Sequence, residues 1–216
     1  MKNVLTKVIL VATCVLISTH AYAYDIEVDG IYYNIVSAGD KTCEVTYKNS
    51  YEYNTYSGAV SIPKTIVYNN QVLTVVGIGE LAFGAQVNLT VINIPNTITY
   101  IGNSAFRACN KLTDIYIPAS VQKLGTAFVK GGSLKSIVID PQNKVYDSRD
   151  NCNAVIESAT NRMILGCSTT TIPKTVITIA GSCFTSYEYF ETLTIPNTIQ
   201  EIEYGALGCN IKNLII

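Results

Sequence analysis

A proline step that returns at a regular spacing is the feature that most constrains how this chain can fold. The chain has six prolines, and five of them follow an isoleucine. They are Pro63, Pro95, Pro118, Pro141, Pro173 and Pro196. The successive intervals are 32, 23, 23, 32 and 23 residues, so each long interval is the short one plus nine. A fixed period of about 20 to 50 residues predicts a solenoid of stacked coils.

The residues before each proline follow one apolar pattern, as in LTVINIP, which begins at Leu89. Alternate side chains of an extended segment share a face, so Leu89, Ile92 and Ile94 are predicted to face inward. A second apolar segment, ITYIGNSAF, follows, in which Gly102 permits a tight bend and Phe106 fills the coil. One coil cannot bury its own apolar face, so we expect stacked parallel strands around a single core.

The two long intervals contain extra residues that are typical of β-hairpins. In the first, VYNNQVLTV at residues 67–75 places an Asn-Asn pair between two apolar runs. In the second, DSRDNCNAVIESATNRM at residues 147–163 is longer and less regular. Both segments are predicted to be hairpin insertions between regular coils.

The repeat resembles the unit of the BspA-like leucine-rich repeat family of bacterial surface proteins, which reads L-x-x-I-x-I-P-x-x-V-x-x-I-G-x-x-A-F-x-x-C. Residues 89–110 and 112–128 match it at almost every position, including Cys109, and the resemblance covers residues 57–216. Asp140, Leu207 and the stretch after Pro141 depart from it. We therefore predict a right-handed leucine-rich repeat solenoid, mainly β with short helical or 3-10 turns, and about six coils.

The N-terminus has the pattern of a secretory signal peptide. Lys2 and Lys7 precede an apolar run from Val8 to Ile17, and the small-x-small sequence AYA ends at Ala23. The run is too short for a bilayer of about 30 Å, so we expect no transmembrane segment in the mature chain. Residues 1–23 are thus predicted to be cleaved after Ala23, leaving a secreted or cell-surface protein.

Residues 24–56 alternate apolar and polar side chains and contain turn sequences at Asp29-Gly30 and Ala38-Gly39-Asp40. This pattern predicts two or three antiparallel strands. A solenoid needs a cover over its first coil, so we interpret residues 24–56 as an N-terminal β-hairpin cap and residues 57–216 as the repeat array.

Composition argues against most catalytic chemistry. The one histidine, His20, lies in the predicted signal peptide, so no Ser-His-Asp arrangement or ordinary zinc site is expected. The acidic residues of 147–153 lack the alternating spacing and glycine of a calcium loop. No nucleotide motif is present. We therefore expect no enzyme activity, no catalytic residues, no metal and no cofactor.

The charge balance also gives no reason to expect a nucleic-acid partner. Removal of Lys2 and Lys7 with the signal peptide leaves 13 basic and 16 acidic side chains, a net charge of −3.

Six cysteines remain after residue 23. Cys152 and Cys167 flank the irregular insertion and are the first candidates for a disulfide, with buried free thiols as the alternative. Cys109 and Cys209 occupy matching places in the repeat, which favours packing.

The resemblance implies a protein-interaction module that adheres to host extracellular proteins or to bacterial surface proteins of neighbouring cells. The outward positions of the strands before each proline would then bind the partner: Asn93, Asp114, Tyr116, Lys135, Val138, Glu191 and Thr194. The alternative is a carbohydrate-binding surface protein, which the many tyrosines favour and the lack of tryptophan disfavours. A mild, mixed surface is equally typical of a solvent-facing sheet without a ligand.

The last residues, IKNLII, align with the first part of a new unit. An uncovered coil would expose apolar side chains such as Leu214 and Ile216, so self-association through the C-terminal coil is one hypothesis and a shortened array is the other.

Overall fold

The computed structural model describes residues 24–49, 55–185 and 189–216, so the predicted signal peptide lies outside the described residues. The described chain is mainly β, and within these ranges a single short 3-10 helix occurs, at Arg149–Asn151. No helix in the same ranges has the length and apolar character needed to cross a membrane.

The N-terminal segment forms the antiparallel strands predicted for it. These strands, numbered in chain order like all others, are β1 (Ile26–Val28), β2 (Ile31–Ser37) and β3 (Thr42–Thr46). Each pairs antiparallel with the next, and Asp29 and Gly30 have φ values of 51° and 74°, as a two-residue hairpin turn requires. The last of them, β3, also pairs in parallel with Gln71–Ile78 of the first coil. The segment is therefore hydrogen-bonded directly onto the repeat array.

The repeat forms a longer strand on its first apolar segment, here called a front strand, and a short strand on its second, called a back strand. The front strands are β4 (Gly58–Ser61), β7 (Leu89–Asn93), β9 (Asp114–Ile117), β11 (Ser136–Ile139), β16 (Tyr189–Thr194) and β18 (Asn210–Ile215). The back strands are β8 (Tyr100–Ile101), β10 (Lys123–Leu124), β15 (Thr178–Ile179) and β17 (Glu201–Ile202). Pairing between coils is parallel throughout both sets.

Both predicted insertions are hairpins. Strands β5 (Thr65–Tyr68) and β6 (Gln71–Ile78) pair antiparallel across Asn69 and Asn70, whose φ values of 49° and 59° fit the left-handed turn that asparagine tolerates. The second insertion forms β12 (Tyr146–Asp147), β13 (Ala154–Glu157) and β14 (Arg162–Gly166). Strand β14 then pairs in parallel with β15, so this hairpin takes the place of a back strand.

The inward positions predicted from the repeat are buried in the complete coils. Leu89 and Phe106 are fully buried, and Ile92 is 6% exposed. The final coil differs, because Leu214 is 45% exposed and Ile216 is 88% exposed. The repeat pattern thus predicts the interior correctly wherever a further coil covers it.

The buried side chains form two hydrophobic clusters rather than the single core expected, and Ile164 of β14 packs against both. The first contains a row of aromatic rings, with 6.2 Å between the centroids of Tyr32 and Tyr56, 4.8 Å from Tyr56 to Phe83 and 5.3 Å from Phe83 to Phe106. The second is centred on Phe184, whose ring lies perpendicular to that of a neighbouring phenylalanine, Phe190, at 5.3 Å.

The β13–β14 hairpin lies between the two clusters. Val155 and Leu165 belong to the first cluster, whereas Ala154, Ile156 and Met163 belong to the second. Successive side chains of a strand point to opposite faces, so a hairpin that is apolar on both faces can be buried on both. The β13–β14 hairpin therefore separates the two clusters, and we call it the wall.

Candidate interaction surface

The outward side chains of the front strands form the candidate site, because the inward side chains are buried in the core. Tyr116 on β9 lies directly opposite Val138 on β11, and Asp114 lies opposite Ser136. Tyr116 is 47% exposed and Val138 is 42% exposed. Two large apolar side chains thus lie side by side on the surface, with a carboxylate on the same strand.

The Tyr116 ring is held in place by a hydrogen bond to the following coil. Its hydroxyl donates to Asp140 Oδ2 at 2.7 Å, and the Gln142 amide donates to the other carboxylate oxygen at 2.8 Å. The hydrogen bond from Tyr116 lowers the pKa of Asp140, and the same bond raises the pKa of Tyr116. The aromatic ring therefore presents a fixed face to solvent.

Lys135 comes immediately before β11, next to the same pair of strands. Its amide donates to the Thr113 carbonyl at 2.7 Å, and the Thr113 hydroxyl donates to Asp114 Oδ2 at 2.7 Å. The Lys135 carbonyl accepts from Thr169 Oγ1 at 2.6 Å. Lysine and aspartate thus flank the apolar pair, and the structure brings together four of the seven predicted residues.

Asn93 lies on the neighbouring pair, β4–β7, where its side-chain amide donates to Ser61 Oγ at 2.8 Å. Strand β7 contacts β9, and its Val91 is 46% exposed. Val91 is not among the predicted residues, although it occupies the same outward position of the repeat as Asp114. We call Val91, Tyr116 and Val138 the apolar patch.

Glu191 and Thr194 lie elsewhere, on the pair β16–β18. Glu191 forms an ion pair with Lys212, with 2.9 Å between Oε2 and Nζ, and Thr194 lies opposite Ile215. The inward residues of the same strand, Phe190 and Leu193, belong to the second hydrophobic cluster rather than the first. The predicted column of binding residues is therefore divided in the same way as the core.

No pattern in the sequence marks Asp140 as a partner of Tyr116. It was a departure from the repeat, placed between Ile139 and Pro141, and the two residues are 24 positions apart. Only the stacking of successive coils brings them together.

The cysteines do not add chemistry to this surface. Cys152 and Cys167 are both free thiols, and they belong to different hydrophobic clusters, so the structure does not contain the disulfide suggested for them. Burial raises the pKa of Cys152 to about 11 and that of Cys109 to about 12, which makes each a poor nucleophile. Within the described ranges, no group of three acidic, cysteine or histidine side chains could hold a metal ion.

Asp147, one of the acidic residues first weighed for calcium, is occupied by protein partners. Arg149 Nη2 lies 2.6 Å from Asp147 Oδ2, and the Ser158 hydroxyl donates to the same oxygen at 2.6 Å. Arg149 also donates to Asn161 Oδ1 at 2.8 Å, across the hairpin. These hydrogen bonds and this ion pair account for the polar side chains Asp147, Arg149 and Ser158 of the insertion.

Stacked parallel front strands with a repeating inward column define a leucine-rich repeat protein. The family described as BspA type leucine rich repeat region matches residues 49–156 and 155–216 with six copies, and the chain belongs to this family.

One solved structure supports that fold. The chain is similar to the pneumococcal vaccine antigen PcpA, with 12% identity, a TM-score of 0.53, and coverage of 88% of this chain and 69% of that one. It is also similar to a leucine-rich cell surface protein from Faecalibacterium prausnitzii, with 16% identity, a TM-score of 0.48, and coverage of 88% and 76%. A search of curated protein sequences finds no match.

Proposed function

We propose that this chain is an exported or cell-surface module that binds another protein through its front strands, with adhesion to host or neighbouring-cell proteins as its role. The observation that carries the proposal is the apolar patch of Val91, Tyr116 and Val138, each 42% to 47% exposed on neighbouring front strands. The chain belongs to the BspA type leucine-rich repeat family, and the resemblance to that family implies a bacterial surface protein. This supports the proposed export.

Tyr116 is of the residue type that dominates the centre of many protein interfaces, and Val91 and Val138 add apolar area beside it. Tyrosine supplies a large contact area with a polar end, and its fixed hydroxyl means that little side-chain entropy is lost on binding. Asp114 and Lys135 stand beside it as a charged rim that would steer and orient a partner. A centre of this kind supplies most of the free energy of binding in many protein complexes.

The test is a binding screen against purified extracellular-matrix proteins and glycans, with Tyr116→Ala as the variant. The matched control is Tyr204→Ala, because Tyr204 is also an exposed tyrosine but lies outside the front strands. We expect Tyr116→Ala to weaken capture of a protein ligand about tenfold or more, and Tyr204→Ala to leave it unchanged. Equal capture by both variants would remove the patch from the binding site, and capture of glycans alone would favour the carbohydrate-binding alternative.

Export is tested separately. The proposal expects the released protein to begin at Tyr24, after cleavage behind Ala23, so N-terminal sequencing of protein from the culture medium or cell surface checks it. A chain that still begins at Met1 would contradict the proposed signal peptide.

A further inference from the structure

A second candidate site lies at the junction of the N-terminal segment and the first coil. A cleft of about 630 Å³ separates the turn between β1 and β2 from strands β4 and β5. Its lining includes Asp29, Tyr33, Ala59, Ser61 and Val67. Clefts of about 300 to 1,000 Å³ are of the size that proteins use for ligands. None of the lining residues belongs to the apolar patch.

One wall of this cleft is the edge of β4 that faces away from β7. The Gly58 amide donates to the Asn88 carbonyl at 2.9 Å, and the Ile62 amide donates to the Asn93 carbonyl at 3.1 Å, both on the side of β7. Alternate residues of a parallel strand bond to the same neighbour, so the amides and carbonyls of Ala59 and Ser61 face away from β7. In the part of the chain that the structure describes, β4 pairs with no other strand.

An edge of this kind is a template for another strand, because its donors and acceptors already have the right spacing. Ala59 and Ser61 are both exposed, so a ligand backbone can reach them. The cleft walls add aliphatic side chains, Val60 and Val67, that suit the β-branched residues of an extended peptide.

The charge of the lining restricts the ligand further. Asp29 is the one charged residue among the described residues that line the cleft, and it lies in the exposed turn that follows β1. A carboxylate without a cationic residue in the same lining favours a lysine or arginine on the ligand.

We propose that β4 and the cleft beside it bind an extended, basic segment of a partner protein, which adds as a strand to the free edge of β4 and places a cationic side chain beside Asp29. This site is independent of the apolar patch, so its failure would leave the proposed function untouched. It gives the protein a second way to contact a partner, through backbone hydrogen bonds.

The test is an NMR titration of the isotope-labelled full chain with the peptide acetyl-Lys-Thr-Val-Thr-Val-amide. We expect the amide signals of Ala59 and Ser61 to shift and their hydrogen exchange to slow as peptide is added. The same peptide with alternate backbone nitrogens methylated cannot complete the ladder, and we expect it to bind about tenfold more weakly.

Two charge variants complete the experiment. Asp29→Asn is expected to weaken binding of the unmethylated peptide about threefold, whereas Asp150→Asn, the same charge change at another exposed left-handed position outside the cleft, should have no effect. No shift of Ala59 and Ser61 at millimolar peptide would overturn the proposal. Slow exchange of these two amides without peptide would also overturn it, since the edge would already be covered by the chain itself.

Discussion

The coils before the β13–β14 hairpin and those after it share one repeat but hold together differently. Before the hairpin, neighbouring coils meet through stacked rings, and the planes of Phe83 and Phe106 are only 3° apart. After it, charged contacts join the coils as well. Glu191 pairs with Lys212 at 2.9 Å, and Arg162 of β14 makes two hydrogen bonds to Glu203 at 2.7 and 2.9 Å. The repeat therefore sets how successive strands stack, whereas the contacts between neighbouring coils differ on the two sides of the hairpin.

The largest effect is expected in the aromatic row. Phe106→Ala deletes a fully buried ring, so we expect the free energy of unfolding to fall by about 3 to 5 kcal/mol. Thr113→Ala, on a half-buried side chain of the next coil, should cost under about 1 kcal/mol. Urea denaturation measures both, and equal losses would mean that the inward and outward columns are misassigned.

The next effect concerns the wall between the clusters. A methyl group at Gly166 would overlap the ring of Phe184, so Gly166→Ala is expected to destabilise the protein by about 1 to 3 kcal/mol. Gly39→Ala is the control, since nothing lies near the added carbon there. Thermal unfolding compares the two variants. A Gly166→Ala protein as stable as the control would show that the ring has room to move and that the wall is not tightly packed.

A smaller effect is expected in the polar network of the hairpin. Burial raises the pKa of Asp147, but hydrogen bonds from Arg149 and Ser158 outweigh it and hold this pKa below its usual value. Asp147→Asn removes the charge that Arg149 binds, and we expect a loss of about 1 kcal/mol in the free energy of unfolding. Denaturation at neutral pH measures this loss. A variant as stable as the parent would show that the network does not contribute to the free energy of unfolding.

The smallest effect is the pH dependence of the contact between β14 and Glu203, which follows β17. The hydrogen bonds from Arg162, with one from the Gly181 amide, lower the pKa of Glu203 to about 2. A depressed carboxylate pKa stabilises the fold above the unfolded-state value of 4.5 and loses that contribution as the pH falls towards 2. Because Glu203 is 31% exposed, we expect under about 1 kcal/mol from it.

Glu203→Gln is the variant that isolates this contribution. The difference in stability between parent and variant, followed by denaturation from pH 6 to pH 2, should shrink across that window. A difference that stays constant through the acid range would contradict the lowered pKa.

The regular coils could be predicted from the sequence because each of their features is local. Leu89 and Phe106 are inward since the repeat places them, and the Asn69-Asn70 turn follows from the left-handed conformation that asparagine tolerates. These features depend on neighbours within one coil, so a single period is enough to find them.

The features that sequence reasoning missed depend on contacts between coils. The contact of Tyr116 with Asp140 joins two coils, and no local pattern marks it. The apolar positions of β13 and β14, such as Val155 and Ile156, look like an ordinary hairpin until both of their faces are seen to be buried. The division of the core, and with it the separation of Glu191 from the apolar patch, could therefore not be predicted from one sequence.

Native-state hydrogen exchange tests the division of the molecule most directly. The amides of Gly102 and Gly125 bond to the preceding coil before the hairpin, and those of Ala180 and Glu203 do so after it. Phe184→Ala removes the central ring of the second cluster, so it should speed exchange at Ala180 and Glu203 and leave the two glycines unchanged. Equal acceleration of all four amides would contradict the account, because it would show one cooperative core without a wall.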